Sequence, residues 1–218
     1  MNIRNILNQV FNSWFPNRII SVINIDYGHE LSKREQKSVD AQGNPIPWFT
    51  YPAIDYLSQL NLKNRIIFEW GSGASSEYFA KRCKYVYSVE HDKEWYVKVN
   101  ALKQKNQLII CAKGNKYVEG IAKVNRKFDI IIVDGIRRDE CTKKSVLYLK
   151  NNGIIILDNS ERHSDTCKWL RRKGFIQIDF IGFGPIANIT WSTSVFITQK
   201  FDYKPLDFQP RKTIGGEL

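Results

Sequence analysis

The chain has 218 residues, of which 43% are hydrophobic and 13% aromatic, enough for one sizeable core and too apolar for a disordered chain. No run approaches the ~20 consecutive apolar residues of a membrane span, and the N-terminus lacks the apolar core of a secretory leader, so a cytoplasmic protein is expected. The net charge of +11 raises nucleic acid as a partner, but the basic residues between Lys98 and Lys150 fall at helix-surface and loop spacing without interleaved aromatics, which favours a solvated surface.

Residues 1–47 read as a helical or irregular appendage. Ile3, Ile6, Leu7, Val10, Phe11 and Trp14 recur at helical spacing and form an apolar stripe. The favoured reading is a helix covering the protein's own core. Arg4 and Arg18 offer only weak attraction to a membrane surface. Gly43-Asn44-Pro45-Ile46-Pro47 reads as a turn-rich linker into a main domain at 48–200. Thr50 is placed to cap a helix with Pro52 in its first turn and Ala53, Ile54, Leu57 and Leu60 on one face.

Beyond Asn64 short apolar runs alternate with helical patterns, the signature of βα units and a parallel sheet. Strands are expected at Ile66–Trp70, Tyr85–Glu90, Leu108–Cys111, Phe128–Asp134 and Ile154–Asp158. Between them the helical patterns run from Ser76 to Cys83, from Asp92 to Lys103 with Trp95, Val99 and Leu102 on one face, from Lys116 to Asn125, and from Asp139 to Lys150. A helix from His163 to Lys173 stops at Gly174. Phe175–Ile181 and Thr193–Thr198 are joined without a helical pattern and are expected to pair antiparallel. Residues 201–218 read as an extended tail. Cys83, Cys111, Cys141 and Cys167 lie far apart with no Cys-x-x-Cys pair, so reduced thiols are expected.

In an open α/β sheet, ligands bind at the carboxyl ends of the strands. The first βα turn here is Glu69-Trp70-Gly71-Ser72-Gly73-Ala74-Ser75-Ser76, in which Gly71 and Gly73 permit close backbone approach. The next strand ends in Glu90, where a carboxylate can accept hydrogen bonds from a ribose diol. A dinucleotide fingerprint would carry a third Gly or Ala where this chain has Ser76, and a pyrophosphate gains nothing from Glu69. A cationic adenosine ligand does.

Glu69-x-Gly71-x-Gly73 ending the first strand, with Glu90 ending the second, resembles the class I S-adenosylmethionine-dependent methyltransferases over roughly residues 66–199. The resemblance implies an α/β, doubly wound, mostly parallel seven-stranded sheet, order 3-2-1-4-5-7-6 with the last strand antiparallel and helices on both faces. It implies S-adenosylmethionine as cofactor. Glu69 and Gly71 would face the methionine part, with Ser72, Gly73 and Ser76 in the surrounding turn, Glu90 at the ribose, His91 against the adenine and Asp134 beside the cofactor.

The fourth and fifth strands end in Asp134 and in Asp158-Asn159, which gathers hard oxygen ligands at one rim, a candidate Mg²⁺ site. This grouping is similar to catechol O-methyltransferase and its relatives, in which an Asp and an Asp-Asn pair hold Mg²⁺. A lysine three residues past the first Asp serves there as base; Arg137 stands at that place here. An arginine stays protonated and can hold an anion but is a poor base. Asp134, Arg137 and Asp158 are therefore the catalytic candidates, for methyl transfer to an oxygen of a small-molecule, saccharide or metabolite acceptor. The alternatives are an RNA or other nucleic-acid methyltransferase, a non-catalytic module binding an adenosine ligand, and a nicotinamide-dependent oxidoreductase.

Overall fold

β1 (Ile66–Trp70), β2 (Tyr85–Glu90), β3 (Gln107–Cys111), β4 (Phe128–Val133), β5 (Leu149–Asp158), β6 (Ile176–Gly182) and β7 (Trp191–Ile197) form one sheet in the order β3-β2-β1-β4-β5-β7-β6. The structure, a computed structural model, describes residues 16–206 and 210–215. The first five strands are parallel, and β7 runs antiparallel to both β5 and β6. Sheet and order are those expected.

Side chains of the central strands alternate between two cores, as the period of a strand requires. Ile130, Ile132, Ile154 and Ile156 join the helices Tyr51–Ser58 and Ala74–Ala80 on one face. Phe128, Ile131, Val133, Ile155 and Leu157 join Tyr117, Cys141 and Leu170 from the helices on the other. The near-continuous apolar runs of β4 and β5 follow from being covered on both sides.

Details differ from, or add to, the expectation. The helix Arg138–Tyr148 ends before Lys150, because β5 begins at Leu149 opposite Phe128; the turn-like Asn151-Asn152-Gly153 is absorbed in a register shift between Phe128 and Ile130. The helix Lys93–Leu102 buries no residue. Trp95, 46% exposed, and Leu102, 78% exposed, share one side with Val99 as expected, and that side is the wall of a cavity. Thr50 precedes the helix Tyr51–Ser58 without capping it: its hydroxyl donates to the Phe180 carbonyl at 2.9 Å.

The flanking segments are tied into the domain. His29 is buried, its Nδ1 3.1 Å from the Gly184 carbonyl and 3.3 Å from the Tyr51 hydroxyl. The 39–45 segment closes on itself through a Val39 to Pro45 bridge, with the Asp40 carboxylate accepting from the Gln42 and Asn44 amides. Tyr203, in the expected tail, is buried; its hydroxyl donates to the Asp129 carbonyl at 2.6 Å and the Arg65 guanidinium lies over its ring. The apolar stripe from Ile3 to Trp14 lies outside the described residues. Among the described residues, no helix is long and apolar enough to cross a membrane, and all four cysteines are free.

Candidate active site

β1 and β4 end side by side, so the turns after Trp70 and after Val133 meet. Gly71 adopts φ +100°, and a Cβ there would stand 3.4 Å from the Asp134 carbonyl and the Gly135 amide. This turn therefore favours glycine for its conformation, while a Cβ would be in ordinary contact with the neighbouring turn. Gly73 differs from the expectation: its φ of 168° is extended backbone open to any residue.

The Glu69 carboxylate, on the cavity wall, already has partners in the protein. It is 1% exposed and accepts hydrogen bonds from the Ser75 and Ser76 hydroxyls, so it ties the end of β1 to the first turn of the following helix. Burial pushes its pKa up to about 7, against the pull of those hydroxyls. Ser76 also accepts from the Gly73 amide at 3.2 Å.

Glu90, 4% exposed, accepts from the Ser72 amide and hydroxyl, each at 3.1 Å, and from the His91 and Asp92 amides at 2.7 and 2.9 Å. It thereby joins the two turns across the sheet. His91 lies edge-on to Tyr117, with ring centroids 5.9 Å apart. Trp95, unnoticed as a site residue in the sequence, donates its indole N–H to the Ser72 carbonyl at 2.7 Å.

A cavity of about 860 Å³ opens over these turns, within the size range of small-molecule sites. Glu69, Gly71, Glu90 and His91 line one part of it, Asp134, Asp158 and Asn159 another, and Trp48, Ile186 and Trp191 its apolar wall. Trp191 is buried, while Trp48 is 48% exposed and presents its ring. Ile186 holds φ +68°, an outlier for a β-branched residue. The segment from Gln36 to Pro45, expected as appendage and linker, supplies wall residues as well.

Asp134, Asp158 and Asn159 converge as expected, but around an arginine. Arg138 Nη2 donates to Asp134 Oδ1 at 3.0 Å and its Nη1 to Asn159 Oδ1 at 2.8 Å. Its Nη1 also bonds the Asp158 carbonyl and lies 3.8 Å from Asp158 Oδ2. Asp158 Oδ1 accepts from the Trp191 indole at 2.9 Å and the Thr193 hydroxyl at 2.6 Å. Burial and the neighbouring Asp158 charge hold the Asp134 carboxyl well above the usual range, with Arg138 opposing them. Asp158 is also raised, by burial, against its hydrogen bonds.

Arg137 does not reach this cavity. Its left-handed φ of 52° turns the side chain to Glu140 and to Asn115, whose Oδ1 accepts at 3.0 Å. The arginine of the site is the next residue, four after Asp134. The sequence signal was that spacing, which becomes useful only once the helix is known to start at Arg138.

The strand order and the paired turns together define the class I S-adenosylmethionine-dependent methyltransferase fold. No family model and no curated protein matches the chain. It is similar to a precorrin-6y C5,15-methyltransferase from Geobacter metallireducens, with TM-score 0.58 and 12% identity over 77% of this chain and 96% of that one. A candidate caffeoyl-CoA O-methyltransferase from Staphylococcus aureus is similar with TM-score 0.56 and 22% identity, over 81% and 99% of the two chains. A candidate methyltransferase from Streptococcus mutans in complex with S-adenosylhomocysteine gives TM-score 0.50 and 16% identity, over 66% and 94%.

Proposed function

We propose that this protein transfers the methyl group of S-adenosylmethionine to an oxygen of a small-molecule acceptor. The observation that carries the reading is the convergence on one cavity of the Gly71 turn and Glu90 with the carboxylate of Asp134. The cofactor fits the residues present. Gly71, at φ +100°, lines the cavity with bare backbone, and Glu90 is a buried acceptor on the same wall for the ribose diol.

The bound cofactor would supply a sulfonium-activated methyl group, so the protein's share is positioning and exclusion of water. Glu90 and the Ser72 turn would fix the nucleoside, and Trp48 and Trp191 would flank the acceptor. Asp134 would receive the acceptor's hydroxyl proton. Its Oδ1 is held by Arg138, and it lines the same cavity as Glu90, which supports an oxygen acceptor, since such an acceptor would need a carboxylate there. The likeness of fold to the Staphylococcus aureus protein supports an oxygen acceptor only by analogy.

Calorimetric titration with S-adenosylmethionine and S-adenosylhomocysteine tests the first half. Wild-type protein is expected to bind both, and Glu90→Ala to weaken binding about thirtyfold, the loss of about 2 kcal/mol for hydrogen bonds to a charged acceptor. Undiminished binding by Glu90→Ala, or none by wild type, would sink the reading. Radiolabelled methyl transfer to a panel of hydroxylated, amine and thiol compounds tests the second half, with only hydroxyl acceptors expected to lose activity in Asp134→Asn.

A further inference from the structure

A divalent ion requires oxygen ligands at about 2.0 to 2.6 Å from a shared centre. Asp134, Asp158 and Asn159 do share a centre, and the Arg138 guanidinium is in it. Its side chain is only 16% exposed. Besides the bonds to these three residues, Nε donates to the Gly135 carbonyl at 2.9 Å and Nη2 approaches the Asp134 carbonyl at 3.3 Å. An arginine has five N–H donors, and each of its three nitrogens is engaged by strand-end oxygens.

We propose that Arg138 is the resident cation of this site: its guanidinium takes the place of a divalent ion among Asp134, Asp158 and Asn159, so that the cluster works without a bound metal. A metal ion and the guanidinium cannot both occupy it, since two cations a few ångströms apart in a half-buried setting repel strongly. The local chain geometry builds this arrangement. The left-handed Arg137 begins the helix Arg138–Tyr148, and from its first position Arg138 turns back over the residue four before it.

Arg138 acts as a positioning residue. Its donors are engaged by the protein, so it reaches an acceptor through Asp134, whose Oδ1 it holds. Among the described residues no donor is bonded to Asp134 Oδ2, which leaves that atom for a ligand. Lysine would not substitute, because an ammonium group lacks the planar fork that spans three oxygens in fixed directions. The consequence for methyl transfer rests on the reading given above; the ion-binding consequence does not.

Mn²⁺ binding followed by electron paramagnetic resonance, with S-adenosylhomocysteine binding measured on the same samples, tests this. Wild type is expected to leave Mn²⁺ free in solution. Arg138→Ser should gain a site at millimolar ion, and adding Asp158→Asn should remove it; a role for Arg138 in stability alone would not create one. A stoichiometric Mn²⁺ site in wild type that Asp158→Asn abolishes would overturn the proposal. So would a folded Arg138→Ser protein that gains no site. If that variant does not fold, Arg138→Gln and the wild-type titration give the answer. Failure of S-adenosylhomocysteine to bind wild type would count against the methyltransferase reading alone and leave the ion result standing.

Discussion

Glu69 and Glu90 end adjacent strands and both are buried, yet their partners separate their roles. Both line the cavity, but Glu69 accepts from two serine hydroxyls of the following helix, while Glu90 holds mainly backbone amides of the two turns. The raised pKa of Glu69 makes a pH prediction. In the folded protein it keeps its proton up to about 7, whereas the unfolded chain loses it near 4.5. The folded state therefore binds more protons in that window, and this residue's contribution to stability falls as pH rises through it, by about 3 kcal/mol in all. Urea denaturation of ligand-free protein from pH 4.5 to 8 should show that decline, and Glu69→Gln should flatten it; an unchanged slope would contradict the assignment. A sequence reading that placed Glu69 against a cationic ligand saw the correct strand end, but the serines that occupy its oxygens became visible only with the helix in place.

Among the elements, the end of β4 and the helix Asn115–Val118 control the floor of the site. A Cβ on Gly135 would stand 1.9 Å from the Tyr117 hydroxyl and 3.1 Å from the Gly71 amide. Tyr117 is fully buried, and its hydroxyl has no hydrogen-bond partner among the described residues. Gly135→Ala is expected to cost about 2 to 3 kcal/mol through overpacking. Tyr117→Phe alone should be close to neutral, and in the double variant it should recover about 1 kcal/mol of that loss. A double-mutant cycle by urea denaturation measures the coupling, and strict additivity would show that the two residues do not press on each other. The helix Lys93–Leu102 makes the converse point. Its apolar stripe was legible, but the period of a helix says only that Trp95, Val99 and Leu102 share a side, not that the side meets a core.

For the whole molecule, the described segment after β7 packs back onto the start of the sheet. Asp129 at the amino end of β4 accepts from the Ile66 amide and pairs with Arg65 and Lys150, while its carbonyl accepts from Tyr203. The isolated bridge between Leu60 and Pro205 and the bond from the Leu206 amide to the Gln59 carbonyl continue that seam. Tyr203→Ala is therefore expected to destabilise the protein by about 3 kcal/mol, as other buried aromatic truncations do. A urea midpoint unchanged from wild type would show that residues beyond 200 are the loose tail their sequence resembles.

The order of strands, the antiparallel β7 and the positions of Gly71, Glu90, Asp134, Asp158 and Asn159 at or just past strand ends were all within reach of the sequence. The strand positions, the antiparallel pairing and the strand-end residues depend on periodicity, turn chemistry and place in a repeated βα unit, which neighbouring residues determine, whereas the order of strands came from the resemblance to a known family. What the carboxylates hold was not within reach. Arg137 and Arg138 are identical in type and adjacent, and a single left-handed residue sends one to Glu140 and the other into the cluster between two strands. That choice is made by contacts between residues far apart in the chain, so only the tertiary structure could decide it.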